Sequence, residues 1–229
     1  MREFRFALKQ TFPIFFTYLF IGIAFGMMMS EAGYAPIWSV LMAVFIFAGS
    51  MQIVMVPLLT AGTPLPMLAL MTLFINGRHL FYGLGFIERF RKMGWLCPYM
   101  VLTLTDETYS ILCSVRYEEG LDEQRADFLI ALTNQCYWFF GCLLGACLGS
   151  YLHLNAEGID FSATAFFLVV VVNQWVQAKS KLPALCGLVS ALVFLLFLGP
   201  DRFLIPALSF STLILMLLRG RIQKEEAAV

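Results

Sequence analysis

Eight apolar stretches, each bounded by glycine, proline or charge, occupy residues 13–29, 37–61, 65–86, 98–115, 128–151, 162–178, 182–198 and 203–218. About 20 apolar residues in helical form cross the hydrocarbon core of a bilayer, so stretches of this length leave few choices of solvent. Strands of a membrane barrel run to about 10 residues and alternate apolar with polar positions. The stretches here are longer and apolar on every side, which predicts helices. The chain is 60% hydrophobic and 13% charged, about half the charged share of a soluble domain. The expected fold is all-α, a polytopic integral membrane protein with six to eight transmembrane helices in a single domain over residues 1–229.

The 15 basic and 15 acidic residues cancel and gather between the apolar stretches, as membrane-surface loops do and a nucleic-acid surface does not. The amino-terminal residues Arg2, Arg5 and Lys9, the turn at Lys179 and Lys181, and the tail with Arg219, Arg221 and Lys224 are basic, whereas Glu31, Glu157 and Asp160 are acidic. Loops rich in Lys and Arg stay in the cytoplasm, so both termini are expected there. Arg89, Arg91 and Lys92 disagree, because eight simple crossings put them outside. The conflict disappears if two of stretches two to four fail to cross. Stretch four carries Thr103, Thr105, Asp106, Glu107 and Thr108 at its centre, and stretch three carries Asn76, Gly77 and Arg78. Both are therefore expected to be broken or re-entrant, leaving six full spans and two partial ones. In stretch two, Gly49-Ser50 followed by Pro57 predicts a bend or local unwinding.

An internal echo pairs Tyr18-x3-Gly22-x3-Gly26 with Tyr137-x3-Gly141-x3-Gly145-x3-Gly149, each ahead of a stretch bearing amides, Gln52 in one and Asn173-Gln174 in the other. Duplicated halves are common in transporters. Small residues every four positions are equally an ordinary packing surface between helices in lipid.

Ionisable groups at mid-membrane cost roughly 2.5–3.5 kcal/mol each on insertion scales, so they mark a functional site or a buried pair. Two clusters qualify: Asn76, Arg78, His79 and Tyr82 in stretch three, and Asp106 with Glu107 in stretch four. One reading is structural, with Arg78 neutralising a carboxylate and pinning two helices. The other is a site for a small zwitterion, whose carboxylate and ammonium both need partners in lipid. Arg78 offers a planar fork to the carboxylate, helped by N–H groups freed where the helix breaks at Gly77. Asp106 or Glu107 would hold the ammonium, with Asn76, Tyr82, Ser50 and Gln52 lining the cavity. His79, Asp106 and Glu107 are candidates to carry a coupling proton. The amides at Asn134 and Gln135 read first as glue between helices.

Six cysteines without C-x-x-C spacing and two histidines predict no metal and no cofactor. A nucleotide loop is absent from the sequence, so energy would come from an ion or solute gradient. Ser50 lacks the second glycine of a nucleophile elbow and no H-E-x-x-H is present, which argues against an enzyme. A passive channel or structural subunit remains open on these residues.

At Phe47-Ala48-Gly49-Ser50-Met51-Gln52, Asn76-Gly77-Arg78-His79-Leu80-Phe81-Tyr82 and Thr105-Asp106-Glu107-Thr108-Tyr109, the sequence resembles the AzlC family of large permease subunits. The resemblance covers the order and spacing of all three motifs and a length near that of the whole chain. It implies export of branched-chain amino acids (valine, leucine, isoleucine) across the bacterial cytoplasmic (inner) membrane, with a small hydrophobic membrane subunit of the AzlD type as partner.

Overall fold

The computed structural model describes residues 1–152, 168, 171–172, 175–176, 181–199 and 203–228; the side chains of Arg78, Leu80, Phe81, Leu152, 204–205 and 219–228 stand outside that description, as do Asn173 and Gln174. The chain divides into two compact units, Met1–Ala163 and Thr164–Val229.

In the first unit, α1 (Arg2–Glu31) and α7 (Glu123–Leu152) are 30 residues each, about 45 Å at 1.5 Å per residue. Both are long and apolar enough to cross a bilayer. They run parallel, since Gly141 meets Tyr18, Gly145 meets Ile23 and Gly149 meets Ser30 in rising order. The two glycine stripes of the internal echo thus face each other. A Cβ added at Gly26, Gly141 or Gly145 would stand within 3.0 Å of backbone atoms on the opposite helix, so only glycine permits this approach. On the other side of α1, Phe12, Phe16 and Phe20 are exposed at four-residue spacing, a stripe suited to lipid.

Helix α4 (Leu65–Arg91) is continuous, so stretch three is not interrupted at Gly77 as the sequence suggests. One glycine in a helix costs about 1 kcal/mol against alanine; leaving backbone N–H and C=O groups unpaired in lipid costs several. The N–H groups of the Asn76–Arg78 region therefore stay within the helix. The carboxy-terminal end of α4 is tied to the start of α7 by an ion pair from Arg89 to Asp127. At about 40 Å long, α4 thus returns antiparallel to α1 and begins at the opposite end.

This placement decides what stretches two and four do. Stretch two is α2 (Pro36–Phe45) and α3 (Gly49–Thr60), separated by three non-helical residues. It leaves the carboxy-terminal end of α1, reaches the level of Tyr18 and Trp138, and returns to the end where α4 begins. The turn is held open at Phe47, whose φ of +41° is strained for a bulky residue. Packing holds it there: Phe47 is buried with its ring edge-on to Tyr18. Gly49 opens α3 because a Cβ would press on the Trp138 indole at 3.2 Å.

Stretch four is the counterpart from the other end. After a 3-10 turn at Gly94–Leu96, α5 (Cys97–Leu102) rises and α6 (Asp106–Ser114) returns. Its tip uses threonines: Thr103 Oγ1 donates to the Tyr99 carbonyl at 2.8 Å, and Thr105 Oγ1 accepts from the Thr108 N–H. Thr105 before Asp106 and Glu107 is an ordinary helix start, with acids on the positive end of the helix dipole. Phe6, Phe86, Phe90, Met100, Ile111 and Ile130 are among the residues that close the core at this end.

The second unit contains α8 (Leu182–Leu198) and α9 (Leu204–Ala228). Gly199 ends α8 at a φ of +75°, and Phe194 meets Phe210 edge-on across the pair.

Candidate functional site

The tips of the two hairpins converge on Tyr18 and Trp138. Tyr18 O–H donates to Glu107 Oε2 at 2.7 Å, and its oxygen lies 2.7 Å from Thr105 Oγ1. The Trp138 ring sits edge-on to Tyr18 and stacks on Phe25, and its Nε1–H donates to Gln52 Oε1 at 3.0 Å. Thus α1 and α7 each supply one aromatic hub; the α5–α6 hairpin brings Thr105 and Glu107 to Tyr18, and the α2–α3 hairpin brings Gln52 to Trp138.

Two helix starts point at this centre, those of α3 and α6, and the positive ends of both dipoles meet there. They differ in one respect. The start of α6 holds its own carboxylates, Asp106 and Glu107, and a threonine cap, whereas that of α3 holds no acid and no side-chain cap.

Two buried polar atoms lack partners beside it. Gln52 is fully buried; its Oε1 accepts from both Ala48 N–H and Trp138 Nε1–H. Those two atoms can only donate, so the amide orientation is fixed and Nε2 is the atom without an acceptor. Asn134 is fully buried too; its Nδ2 donates to Thr108 Oγ1 at 3.0 Å, and Oδ1 has no donor. Asn134 precedes Trp138 by one turn on the same face of α7, about 6 Å along the axis. The centre thus offers one unused donor and one unused acceptor. Each such atom costs about 1–3 kcal/mol when left unpaired, and native proteins keep few of them without a reason.

Two cavities open at the two ends of the unit, each lined by residues away from this centre. One of about 430 Å³ opens at the carboxy-terminal ends of α1 and α7, lined by Ser30, Glu31, Tyr34 and Gly149 among others. Another of about 330 Å³ opens at the opposite end beside Glu88, Arg89, Lys92 and Glu123.

Of the residues singled out by sequence, Gln52, Glu107 and, through the α6 start, Asp106 come to the centre. Ser50 is half-buried in the first turn of α3. Tyr82 stacks on Tyr109 of α6 at 4.5 Å, with the His79 ring edge-on to it. His79 Nδ1 lies 3.1 Å from the carbonyl oxygen of Asn76, on its own helix. The backbone of Asn76 and Arg78 lies within α4. Sequence reasoning missed Tyr18, Trp138 and the Thr105–Thr108 pair, and read Asn134 as glue. Tyr18 did carry a signal as the head of the first glycine stripe, but its match in the echo, Tyr137, contacts Thr11 instead. The residue facing inward from α7 is the next one, Trp138.

The AzlC protein family matches residues 13–152, which include all three motifs and both hairpins. The chain belongs to the AzlC family. Among its relatives, a branched-chain amino acid transport protein AzlC of Bacillus subtilis is 37% identical over 99% of this chain and 89% of its own length. An uncharacterized membrane protein of Helicobacter pylori is 36% identical over 97% of this chain and its own full length. The inner membrane protein YgaZ of Escherichia coli is 29% identical over 86% of this chain and 81% of its own. No solved structure matches the chain. Like these relatives, this AzlC-family chain is a helical membrane protein, and among the described helices α1 and α7 are long and apolar enough to cross a bilayer.

Proposed function

We propose that the chain is the large subunit of an exporter for valine, leucine and isoleucine in the bacterial cytoplasmic membrane. It works by alternating access, driven by an ion gradient, with both termini in the cytoplasm. The observation that carries the reading is the pair of unused polar atoms on Gln52 and Asn134 beside the uncapped start of α3. The substrate carboxylate accepts from Gln52 Nε2 and the first-turn N–H groups of α3, an anion site of the helix-start type. The ammonium donates to Asn134 Oδ1 and is balanced by Asp106 and Glu107. Trp138 beside Gln52, with Phe25 stacked on its ring and Phe47 against Tyr18, gives aromatic walls that suit an aliphatic side chain. Arg78, Asn76, Tyr82, His79 and Ser50 act around this centre, with Arg78 as a second partner for the carboxylate. A small hydrophobic membrane subunit of the AzlD type completes the exporter. The name of the Bacillus relative supports the substrate class.

The test is efflux of labelled valine, leucine and isoleucine from preloaded cells making the chain and its small partner, for wild type, Gln52→Leu and Asn134→Leu. Loss of efflux in both variants at normal membrane abundance is expected. Efflux of none of the three by wild type would remove the substrate assignment, and full efflux by Gln52→Leu would remove the site.

A further inference from the structure

The break in stretch two frees one backbone pair, and two side-chain amides take it up. In an unbroken helix the Val44 carbonyl would accept from the Ala48 N–H. Here the Ala48 N–H donates to Gln52 Oε1 at 3.1 Å, and the Val44 carbonyl accepts from Gln135 Nε2 at 3.0 Å. Gln52 belongs to the hairpin itself, whereas Gln135 stands on α7. The other end of Gln135 is occupied as well, because its Oε1 accepts from Tyr99 O–H at 2.7 Å. Tyr99 lies in α5, one turn ahead of the Thr103 that ties back to its carbonyl, with its ring against Phe128 of α7. The amide has one orientation: a carbonyl only accepts, so the NH2 turns to Val44 and the oxygen is left for the Tyr99 hydroxyl. The two ends of one side chain therefore hold the break of the first hairpin and the rising arm of the second.

We propose that Gln135 is a positioning residue that couples the two hairpins, so that neither tip leaves the Tyr18–Trp138 centre without the other responding. This rests on the exporter reading above, in which the hairpin tips carry Gln52 and Glu107; Gln135 itself touches no substrate. A hairpin that moves by itself strips one end of the amide. Either the Val44 carbonyl or the Tyr99 hydroxyl then stands unpaired, and lipid offers no water to replace the lost partner. Movement that carries both partners together keeps both bonds. Alternating access needs the two sides of the centre to open in turn, and a tip that withdraws alone leaves a leak. Three variants separate the two ends. Gln135→Met keeps a similar volume and loses both bonds, while Tyr99→Phe loses only the bond to the second hairpin. In Gln135→Glu the ionised side chain still accepts from Tyr99 but gives nothing to Val44, whereas the protonated one donates to Val44 and accepts from Tyr99 as glutamine does. Among the described residues, the titratable groups beside this position are Tyr99 from α5 and Cys136 from α7, and α2 presents a backbone carbonyl.

The experiment places nitroxides at Phe45→Cys on α2 and Leu102→Cys on α5, both exposed, in the full chain freed of its six native cysteines and held in lipid nanodiscs. Double electron–electron resonance reads the distance distribution between them. With Gln135 in place, one narrow distribution is expected. Gln135→Met and Tyr99→Phe are each expected to broaden it, and Gln135→Glu to be narrow at low pH and broad at high pH. In liposomes with the small partner subunit, Gln135→Met is expected to keep downhill leucine efflux and to lower the ratio of gradient-driven to downhill efflux about tenfold, the shift that two ordinary hydrogen bonds supply. A distribution as narrow in Tyr99→Phe as with both residues intact overturns the proposal, since the amide then serves α2 alone. A Gln135→Glu distribution that is broad at low pH also overturns it, as do gradient-driven and downhill efflux that fall by the same factor in Gln135→Met. Wild type that moves no leucine in either mode removes the exporter reading, and the distance distributions still decide whether Gln135 couples the hairpins.

Discussion

Arg89 grips Asp127 with two hydrogen bonds, Nε to Oδ2 at 2.7 Å and Nη2 to Oδ1 at 2.6 Å. Its Nη1 also donates to the Leu112 carbonyl, and Tyr117 joins both partners through its hydroxyl. One guanidinium thereby binds the end of α4, the end of α6 and the start of α7. Burial raises the Tyr117 phenol above its ordinary range, so its proton remains to donate across the whole neutral range and that contribution is lost only as pH climbs past the ordinary tyrosine value. Asp127 is 2% exposed on its side chain, and a buried charge stripped of its partner is costly, about 3–5 kcal/mol. Arg89→Ala is expected to lower the thermal stability of the detergent-solubilised chain by that order. The double variant Arg89→Leu with Asp127→Leu is expected to recover most of the loss, because it removes both charges at similar volume. Equal losses in single and double variants would mean that the guanidinium acts through its bond to Leu112 alone.

The same contact puts the basic cluster at the Arg2 end of the first unit. With α2–α3 folding back, Lys92 shares a side with Arg2, while Ala35 and Ala61 share the other. Single cysteines at these four positions, in a background freed of the six native cysteines, are expected to react with an impermeant maleimide in those two pairs. Labelling of Lys92→Cys together with Ala35→Cys, and of Arg2→Cys together with Ala61→Cys, would restore eight simple crossings and undo the two-hairpin arrangement.

The conflict between the charge rule and a simple count was visible in the sequence, and so was the break in stretch four, because Thr105-Asp106-Glu107 is a helix start placed where a span should continue. Stretch three misled. Its polar run Asn76-Gly77-Arg78-His79 suggests interruption, yet glycine within a helix is a small penalty beside exposed backbone in lipid. A break falls in stretch two, where Gly49-Ser50 ahead of Pro57 signals a bend, but its sharpest point is Phe47, a phenylalanine no local preference would put at positive φ. Only the long-range contact with Tyr18 explains that conformation. Likewise, Gln52 stood out as an amide in an apolar stretch, but that its Nε2 is the unpaired atom depends on Trp138, 86 residues away.

The glycine seam gives a contrast that composition alone cannot. In α4, a Cβ on Gly85 meets nothing within 4 Å, so Gly85→Ala is expected to be neutral or to stabilise by up to about 1 kcal/mol through helix propensity. In α7, a Cβ on Gly145 collides with the backbone of Ile23, and one on Gly26 with that of Cys142. Backbone cannot rotate aside as a side chain can, so either alanine pushes α1 and α7 apart at a cost of about 1–3 kcal/mol. Separation also pulls Tyr18 away from Trp138, and with it the two hairpin tips, so transport should fall further than stability does. Because Gly26→Ala and Gly145→Ala open one seam, the second is expected to add little to the first. Melting temperatures of the two single variants, the double variant and Gly85→Ala measure this directly. Strict additivity, or a loss at Gly85 equal to that at Gly145, would show that the helices do not approach at this seam.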